Sequence, residues 1–270
     1  MNNESCKNLQ VSAISNIGNV RDNHEDNLFI PNKCYIDEEL QKNIKSSQNN
    51  IVFSYNGKSG VFAVCDGMGG HNAGEIASRM AVEYIKDNYD SFLKEDDKQL
   101  LNLIKDLNNS ICEYGDKNIG CSNMGSTFSS IIISNNKVYL LHVGDSRIYK
   151  YVAGNLTKLS RDHTEGERLV DAGVVKRENL DKFPNRKLLY KYLGRKGELV
   201  ADCEKIDVMA GERLLIASDG LSDTLSTDEM LGILKESNEP KEVCNNLIDK
   251  CLEKKEKCAD NVTIIIINIE

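Results

Sequence analysis

The sequence predicts an α+β fold with sheet and helix in separate layers, and three observations predict it. Strand-like and helix-like stretches come in blocks instead of alternating strictly along the chain. Met124–Ser134, Lys137–Gly144 and Arg147–Val152 read as successive strands joined by tight turns at Asn135-Asn136 and Asp145-Ser146. That is the pattern of an antiparallel meander and not of βαβ units. Finally, several strongly apolar strands begin or end at an acidic residue, as Val61–Cys65 does at Asp66.

In chain order, Leu9–Gly18 has strand character and ends in a glycine turn. The very polar Arg21–Asn27 then leads into Leu28-Phe29-Ile30. Lys33–Lys58 is polar and carries the turn pairs Asn49-Asn50 and Asn56-Gly57, so a mobile excursion with a short hairpin around Ile51–Tyr55 is expected. In Val61–Gly70 an apolar run meets Asp66 and then Gly67, Gly69 and Gly70. This is a buried strand delivering its last side chain rigidly to a sheet edge, with a sharp turn that exposes backbone carbonyls. Ala73, Ile76, Ala77, Met80, Ala81, Tyr84 and Ile85 mark one face of a long helix, and Leu100, Leu103, Ile104, Leu107 and Ile111 mark a second. Thr164–Gly194 is helical, charged and interrupted, a small subdomain at most. Glu198–Val208 and Glu212–Ala217 return to strands, the latter ending in Ser218-Asp219-Gly220. Ser226 and Glu229 have capping-box spacing for a helix through Leu234. A last helix over about Lys241–Lys255 precedes Asp260-Asn261 and the closing strand Val262–Ile269. There is no internal repeat.

With 270 residues, the chain can bury a large core. Its net charge of −8 argues against a broad nucleic-acid-binding face. Met1–Gln10 lacks a basic-then-apolar signal pattern and no apolar run has the length of a membrane span, so a cytoplasmic protein is expected. Nine cysteines, an odd count with no C-x-x-C pair, argue against a disulfide framework or a zinc site. Cys244, Cys251 and Cys258 recur every seven residues, but two helical turns separate neighbours by roughly 10 Å, too far to share one tetrahedral ion. Cys244 and Cys251 share a helical stripe with Leu247 and Ile248 and read as small core residues.

The chemistry lies in the acids. Asp66, Asp219 and Asp260 each stand at the boundary of an apolar strand, and Glu25-Asp26 precedes another. An ionised carboxylate at such a position is costly unless it is paired or binds a metal. Together these acids would place hard oxygen ligands at one end of a sheet, which suits Mg²⁺ or Mn²⁺. Two such ions carry four positive charges and call for about four carboxylates; roughly 3.5–4 Å apart, they would share a water and make it nucleophilic near neutral pH. A nucleotide-binding reading fails, because Gly67-x-Gly69 is followed by Asn72 where the dinucleotide fingerprint needs glycine, and no Gly-Lys-Ser/Thr loop occurs. An EF-hand reading fails because Asp22–Asn27 lacks the glycine and the distal glutamate.

The chain resembles the metal-dependent protein phosphatases of type 2C (PPM), especially the bacterial ones, over nearly its whole length. The landmarks, in order, are Arg21-x-x-x-Glu25-Asp26, Val64-Cys65-Asp66-Gly67-Met68-Gly69-Gly70, Gly125-Ser126-Thr127, Val143-Gly144-Asp145-Ser146-Arg147, Arg161-Asp162-His163-Thr164, Ala217-Ser218-Asp219-Gly220 and Asp260-Asn261-Val262-Thr263. The resemblance implies a single domain over residues 1–270, a four-layer α-β-β-α sandwich with two central antiparallel sheets and a variable flap at about 164–194. It also implies a binuclear metal centre. Asp66 would bridge the ions, Gly67 would offer its carbonyl, and Asp219 and Asp260 would complete one shell. Glu25 or Asp26 would serve the other ion, directly or through water, with the choice open. Asp145, with Asp219, would hold a third, weaker ion.

Hydrolysis of phosphoserine and phosphothreonine in proteins follows from the resemblance, by a water activated between the two ions, with Arg21 holding the phosphoryl group. A guanidinium fork suits a pair of phosphoryl oxygens. Animal members carry histidine after the Asp-Gly pair. Here Met68 stands in its place and cannot donate a proton, which leaves a metal-bound water for the departing oxygen. His71 is expected at the start of the following helix, His163 at the base of the flap, and Asn185-Arg186 within the flap near substrate or solvent. The implied partners are phosphoproteins, a serine/threonine kinase and its substrates, met by a monomer. A non-catalytic phosphoprotein-binding adaptor and a phosphatase of anti-anti-sigma-type regulators are the alternatives.

Overall fold

A computed structural model describes residues 8–32, 34–44, 46, 48–69, 73–94, 96–135, 137–254 and 258–270. The strands in chain order are β1 (Leu9–Asn16), β2 (Asp26–Ile30), β3 (Cys34–Tyr35), β4 (Ile51–Gly57), β5 (Gly60–Met68), β6 (Gly125–Ser126), β7 (Phe128–Ser134), β8 (Lys137–Val143), β9 (Arg147–Val152), β10 (Asn155–Lys158), β11 (Asp202–Ile206), β12 (Arg213–Ala217) and β13 (Val262–Ile269). The helices are α1 (Glu38–Asn43), α2 (Gly74–Asp87), α3 (Tyr89–Phe92), α4 (Asp97–Lys117), α5 (Glu165–Asp171), α6 (Asp219–Thr224), α7 (Thr227–Glu236) and α8 (Pro240–Glu253).

Two antiparallel sheets form the centre. One has the order β10-β9-β12-β13-β1-β4, the other β11-β8-β7-β5-β2-β3, with β6 paired to the end of β5. The apolar runs that looked continuous in sequence divide by the period of two that a strand imposes. In β5, Phe62 and Val64 point between the sheets, whereas Val61, Ala63 and Cys65 pack under α2 and α4. In β13, Ile265 and Ile267 join the inter-sheet core, and Ile264 and Ile266 lie under α7 and α8. Both faces of each sheet are therefore covered, and the layers run helix, sheet, sheet, helix. No helix among the described residues is long and apolar enough to cross a membrane.

Two expectations are corrected. The three-strand meander is broken: β7 and β8 pair as a hairpin, but β9 pairs with β12 and β10 in the opposite sheet. The chain crosses over at Gly144-Asp145-Ser146, where Gly144 has φ +108° and a Cβ would lie 2.6 Å from Thr127 Cγ2, so only glycine fits. The edge of β8 that β9 would have used is taken by β11. In the polar stretch 33–58, Ile51–Tyr55 is no hairpin. It belongs to β4, which pairs with β1 from Leu9↔Gly57 to Ser15↔Ile51. Alternate residues Ile51, Phe53 and Tyr55 pack against the inter-sheet core, which a hairpin closed on itself would leave uncovered. Ahead of it, α1 is capped by the Asp37 carboxylate on Leu40 N.

Other elements follow the reading of the sequence. α7 carries the reciprocal capping box of Ser226 and Glu229, and Cys244, Cys251, Leu247 and Ile248 are all buried on α8 or at its end. Within Thr164–Gly194, α5 and a 3₁₀ turn at Arg177–Lys182 are followed by an extended return, bridged at Thr164↔Leu189 and Ser126↔Leu193. Phe62→Ala should leave a cavity between the sheets and cost about 3–5 kcal/mol. Ser226→Ala should cost only ~1 kcal/mol through the lost cap. Urea unfolding of both variants checks the ranking, and equal losses would mean the inter-sheet layer is not the main core.

Candidate metal centre

Toward one end of the molecule the layer between the sheets changes from apolar to polar. On β1, Val11 and Ala13 give way to Ser15; on β13, Ile267 and Ile265 give way to Thr263; on β2, Ile30 and Leu28 give way to Asp26; on β5, Phe62 and Val64 give way to Asp66. Antiparallel pairing sets Asp26 directly beside Asp66. Ser15 and Thr263 hydroxyls lie 2.6 Å apart, and Ser218 Oγ donates to Asp26 Oδ2 at 2.7 Å. His24 is buried beneath them, 3.0 Å from Ser15 Oγ through Nε2 and 3.0 Å from Asp26 O through Nδ1. The carbonyl can only accept, so Nδ1 carries the hydrogen and the ring is neutral, consistent with burial pushing its pKa down to about 4.

Close backbone approaches bring the remaining acids in. Gly220, next to Asp219, lets the start of α6 touch the start of β13: a Cβ there would lie 2.0 Å from Asn261 O. Asn261 in turn accepts from Glu25 N at 2.7 Å and donates to Ile17 O and Asn23 O, tying the 17–25 segment to Asp260. Gly67 passes α2 so closely that a Cβ would meet Gly74 O at 2.2 Å. Thr127 Oγ1 accepts from Asp66 N at 2.9 Å and lies 2.7 Å from Ser146 Oγ, locking the end of β5 to the turn that carries Asp145.

Arg21, Glu25, Asp66, Gly67, Asp145, Asp219 and Asp260 line one cavity of about 370 Å³. Asp26 does not: it is 1% exposed and supports the site from beneath. Period two separates the neighbours, because Asp26 follows Leu28 and Ile30 into the inter-sheet layer while Glu25 faces α2, where a Cβ on Gly74 would lie 2.9 Å from its Cδ. Burial, then the charges of Asp26, Asp219, Asp145 and Asp260, push the Asp66 pKa well above the usual carboxylate range. Burial followed by Asp219 pushes Asp145 to about 8. Burial raises Asp26 to about 7, and burial with Glu75 raises Glu25 to about 7. Asp219 rises to about 6 from burial and the charges of Asp223 and Asp260. Arg21 forks onto Asp260 at 2.9 and 2.7 Å.

Among the described residues no three acidic, histidine or cysteine side chains already converge as a closed cage. The carboxylates instead ring a cavity whose described lining has no thiolate and no imidazole. Hard oxygen donors in excess of their counter-charges are the donor set that a divalent cation fits.

Two participants escaped the reading of the sequence, and a third, Thr127, stood in a landmark without an assigned role. Glu75, in the first turn of α2, stands against Glu25 with Oε2 buried and unpaired among the described residues. Lys187, with Leu188 and Leu189, comes from the 164–194 segment into the same cavity. Thr127 anchors Asp66. Gly-Glu directly after a glycine-rich turn was the available signal for Glu75; nothing local marks Lys187. Gly70 and His71 lie outside the described residues. Arg186 and Lys187 line a second cavity of about 370 Å³ that shares Asp145 and Asp219 with the first.

Known proteins are similar to this chain in sequence and in fold. A profile described as Protein phosphatase 2C matches residues 45–253. The serine/threonine phosphatase stp of Listeria welshimeri is 29% identical over 82% of this chain and 89% of its own length. The Mycobacterium tuberculosis serine/threonine phosphatase PstP superposes with a TM-score of 0.77 at 29% identity, over 97% of this chain and 99% of that one. A second PstP structure, of the catalytic domain, is in complex with two manganese ions and is 28% identical. The S. agalactiae serine/threonine phosphatase reaches a TM-score of 0.81 at 25% identity, covering 97% and 100% of the two chains. The two-sheet sandwich is thus the fold of these phosphatases, and the profile spans well over half of the sequence. The chain belongs to the protein phosphatase 2C family of metal-dependent serine/threonine protein phosphatases.

Proposed function

We propose that this chain hydrolyses phosphoserine and phosphothreonine in proteins with two resident divalent ions, Mn²⁺ or Mg²⁺. Asp66, the Gly67 carbonyl, Asp219, Asp260 and Glu25 would hold them, Asp66 serving both. Asp26 would steady the group from beneath. Asp145, with Asp219, would take a third, weaker ion. The observation that carries the reading is the crowding of Glu25, Asp66, Asp145, Asp219 and Asp260 around one cavity, with Arg21 and Lys187 the cations among its described lining residues. Residues 1–270 act as one catalytic domain in this reading, a cytoplasmic monomer, with 164–194 as its flap and 33–58 as a polar insertion. Its partners are a serine/threonine kinase and that kinase's substrates.

Bound there, such ions supply positive charge for the phosphoryl oxygens and make water nucleophilic near neutral pH. The chain's own residues do the rest. The fork by which Arg21 grips the two Asp260 oxygens has the geometry for two phosphoryl oxygens, and it stands in the same cavity. Thr127 fixes the main chain at Asp66, so the carboxylate is presented without reorganisation. Met68 offers no proton and no histidine lines the cavity among the described residues, so in this reading the proton for the leaving serine oxygen comes from solvent.

Asp66→Asn should abolish turnover of a phosphoserine peptide and of p-nitrophenyl phosphate with Mn²⁺, and should weaken Mn²⁺ binding in calorimetry while the melting transition is kept. Wild-type activity would remove Asp66 from the centre, whereas a folded, metal-replete wild-type chain without turnover would mark an adaptor. Arg21→Lys keeps the charge but loses the fork. It should raise KM for the peptide by about tenfold, more than it lowers kcat.

A pH dependence follows from the raised pKa values. The folded chain holds these protons more tightly than the unfolded one, so without metal its stability should fall as pH rises from about 4 to about 8. The carboxyls held low by ion pairs, such as Asp162 and Asp202, act with opposite sign below that window. Urea unfolding in EDTA at pH 5 and pH 8 reads the slope, and saturating Mn²⁺ should flatten it. Equal stability at both values would contradict the crowding.

A further inference from the structure

The turn that carries Asp145 is gripped by a residue lying outside both acidic cavities. His163 holds Gly144 from two sides: its backbone N donates to Gly144 O at 2.7 Å, and Gly144 N donates to its ring Nδ1 at 3.0 Å. Because Nδ1 accepts, the hydrogen of the neutral ring belongs on Nε2, which faces Asp202 Oδ2 at 3.1 Å. The other Asp202 oxygen takes Lys191 Nζ at 3.0 Å. The imidazole is 1% exposed and stacks on His142 at 4.9 Å, with Tyr190 edge-on at 5.6 Å. Across the turn, Thr127 leaves no room beyond Gly144, so the turn is pinned between Thr127 and His163.

We propose that His163, with its tautomer set by Asp202, is a positioning residue that holds Asp145 at the wall shared by the two cavities and couples it to the 164–194 segment. The coupling runs through named bonds. Lys191 and Tyr190 belong to that segment, and Tyr190 N donates to His163 O at 2.9 Å. Asp202 belongs to β11, on the edge of the sheet. Burial opposes ionisation of Asp202, yet the hydrogen bonds from His163 and Lys191 prevail and hold its carboxyl far below the usual range. The carboxylate is thus a permanent acceptor for Nε2–H. A shift of the segment that moved Lys191 or Tyr190 would reach Asp145 through one imidazole. The inference rests on the reading of Asp145 as a ligand of the weaker ion.

The test uses four variants of the full chain: D202N, H163L, H163N and D145A. In D202N the new amide can donate to Nε2, driving the ring hydrogen to Nδ1, where it opposes the Gly144 N–H. Asp202 is half-exposed, so this variant should keep its melting transition. In H163N the Asn oxygen stands near the place of Nδ1 and can still accept from Gly144, whereas leucine cannot. D202N and H163L should shift the Gly144 amide resonance and weaken the weakest Mn²⁺ binding step by about tenfold or more in calorimetry, with H163N closer to wild type than H163L. An unchanged Gly144 resonance and Mn²⁺ titration in D202N would overturn the proposal, as would H163N behaving no better than H163L. D145A separates the two layers of the argument. If it leaves the Mn²⁺ titration untouched, the ligand reading of Asp145 fails, and the positioning claim stands or falls on the Gly144 resonance alone.

Discussion

Everything at this site depends on one electrostatic constraint. Four carboxyl groups, Asp26, Asp66, Asp145 and Asp219, must crowd together at the polar end of the molecule, each with its pKa raised by burial and by neighbouring carboxylates. Such a cluster opposes folding unless protons or cations offset it. The apolar remainder of the layer, from Phe62, Val64 and Leu28 across to Ile265 and Ile267, supplies the cohesion that holds the acids in place. The two parts are continuous along the same strands. One set of strands therefore builds the core at one end and the reactive group at the other, and register errors in the sheets would displace both together.

Neutral contacts do most of the placing. Gly67, Gly144 and Gly220 permit backbone approaches that a Cβ would block, each next to one of the acids. Ser218 donates to the Asp26 carboxylate, and Thr127 and Asn261 accept from the main-chain N–H groups of Asp66 and Glu25. A carboxylate placed by its own ion pair moves when the pair breaks. A carboxylate placed by backbone geometry stays where charge will develop, which is the arrangement electrostatic catalysis needs. The landmarks that flank each acid in the sequence are, on this view, its local mounting.

How much of this was legible followed from the range of the forces involved. Asp66, Asp219 and Asp260 stood out because an acid at the end of an apolar strand is a local pattern, and the helices α2, α4, α7 and α8 followed from equally local periodicity. Strand alternation separates Glu25 from Asp26, but which of the two faces the cavity could be read only once Leu28 and Ile30 were known to face the opposite sheet. The sheet to which β9 belongs was not legible, since it depends on how Gly144 packs against Thr127, seventeen residues earlier. β4 was misjudged for a related reason: polar residues on its outward face hid the inward series Ile51, Phe53, Tyr55, which gains its meaning from pairing with β1.

The 164–194 segment shows how a charged, irregular stretch can be bound to so demanding a site. Its ends are pinned at Thr164↔Leu189 and Ser126↔Leu193, so only its middle is free to differ without disturbing the acids. From that framework Lys187 reaches between the two cavities and pairs with Asp223 one helical turn beyond Asp219. Its ammonium lies in the combined field of Asp145, Asp219 and Asp223, which keeps it protonated despite partial burial. The segment thus meets the centre with a cation at its exposed rim and with an imidazole–carboxylate pair at its hidden base. The cation lies in the field of Asp145 and Asp219, the acids shared by the two cavities, and the imidazole grips the turn before Asp145, so a ligand in the cleft meets the 164–194 segment and the carboxylates together.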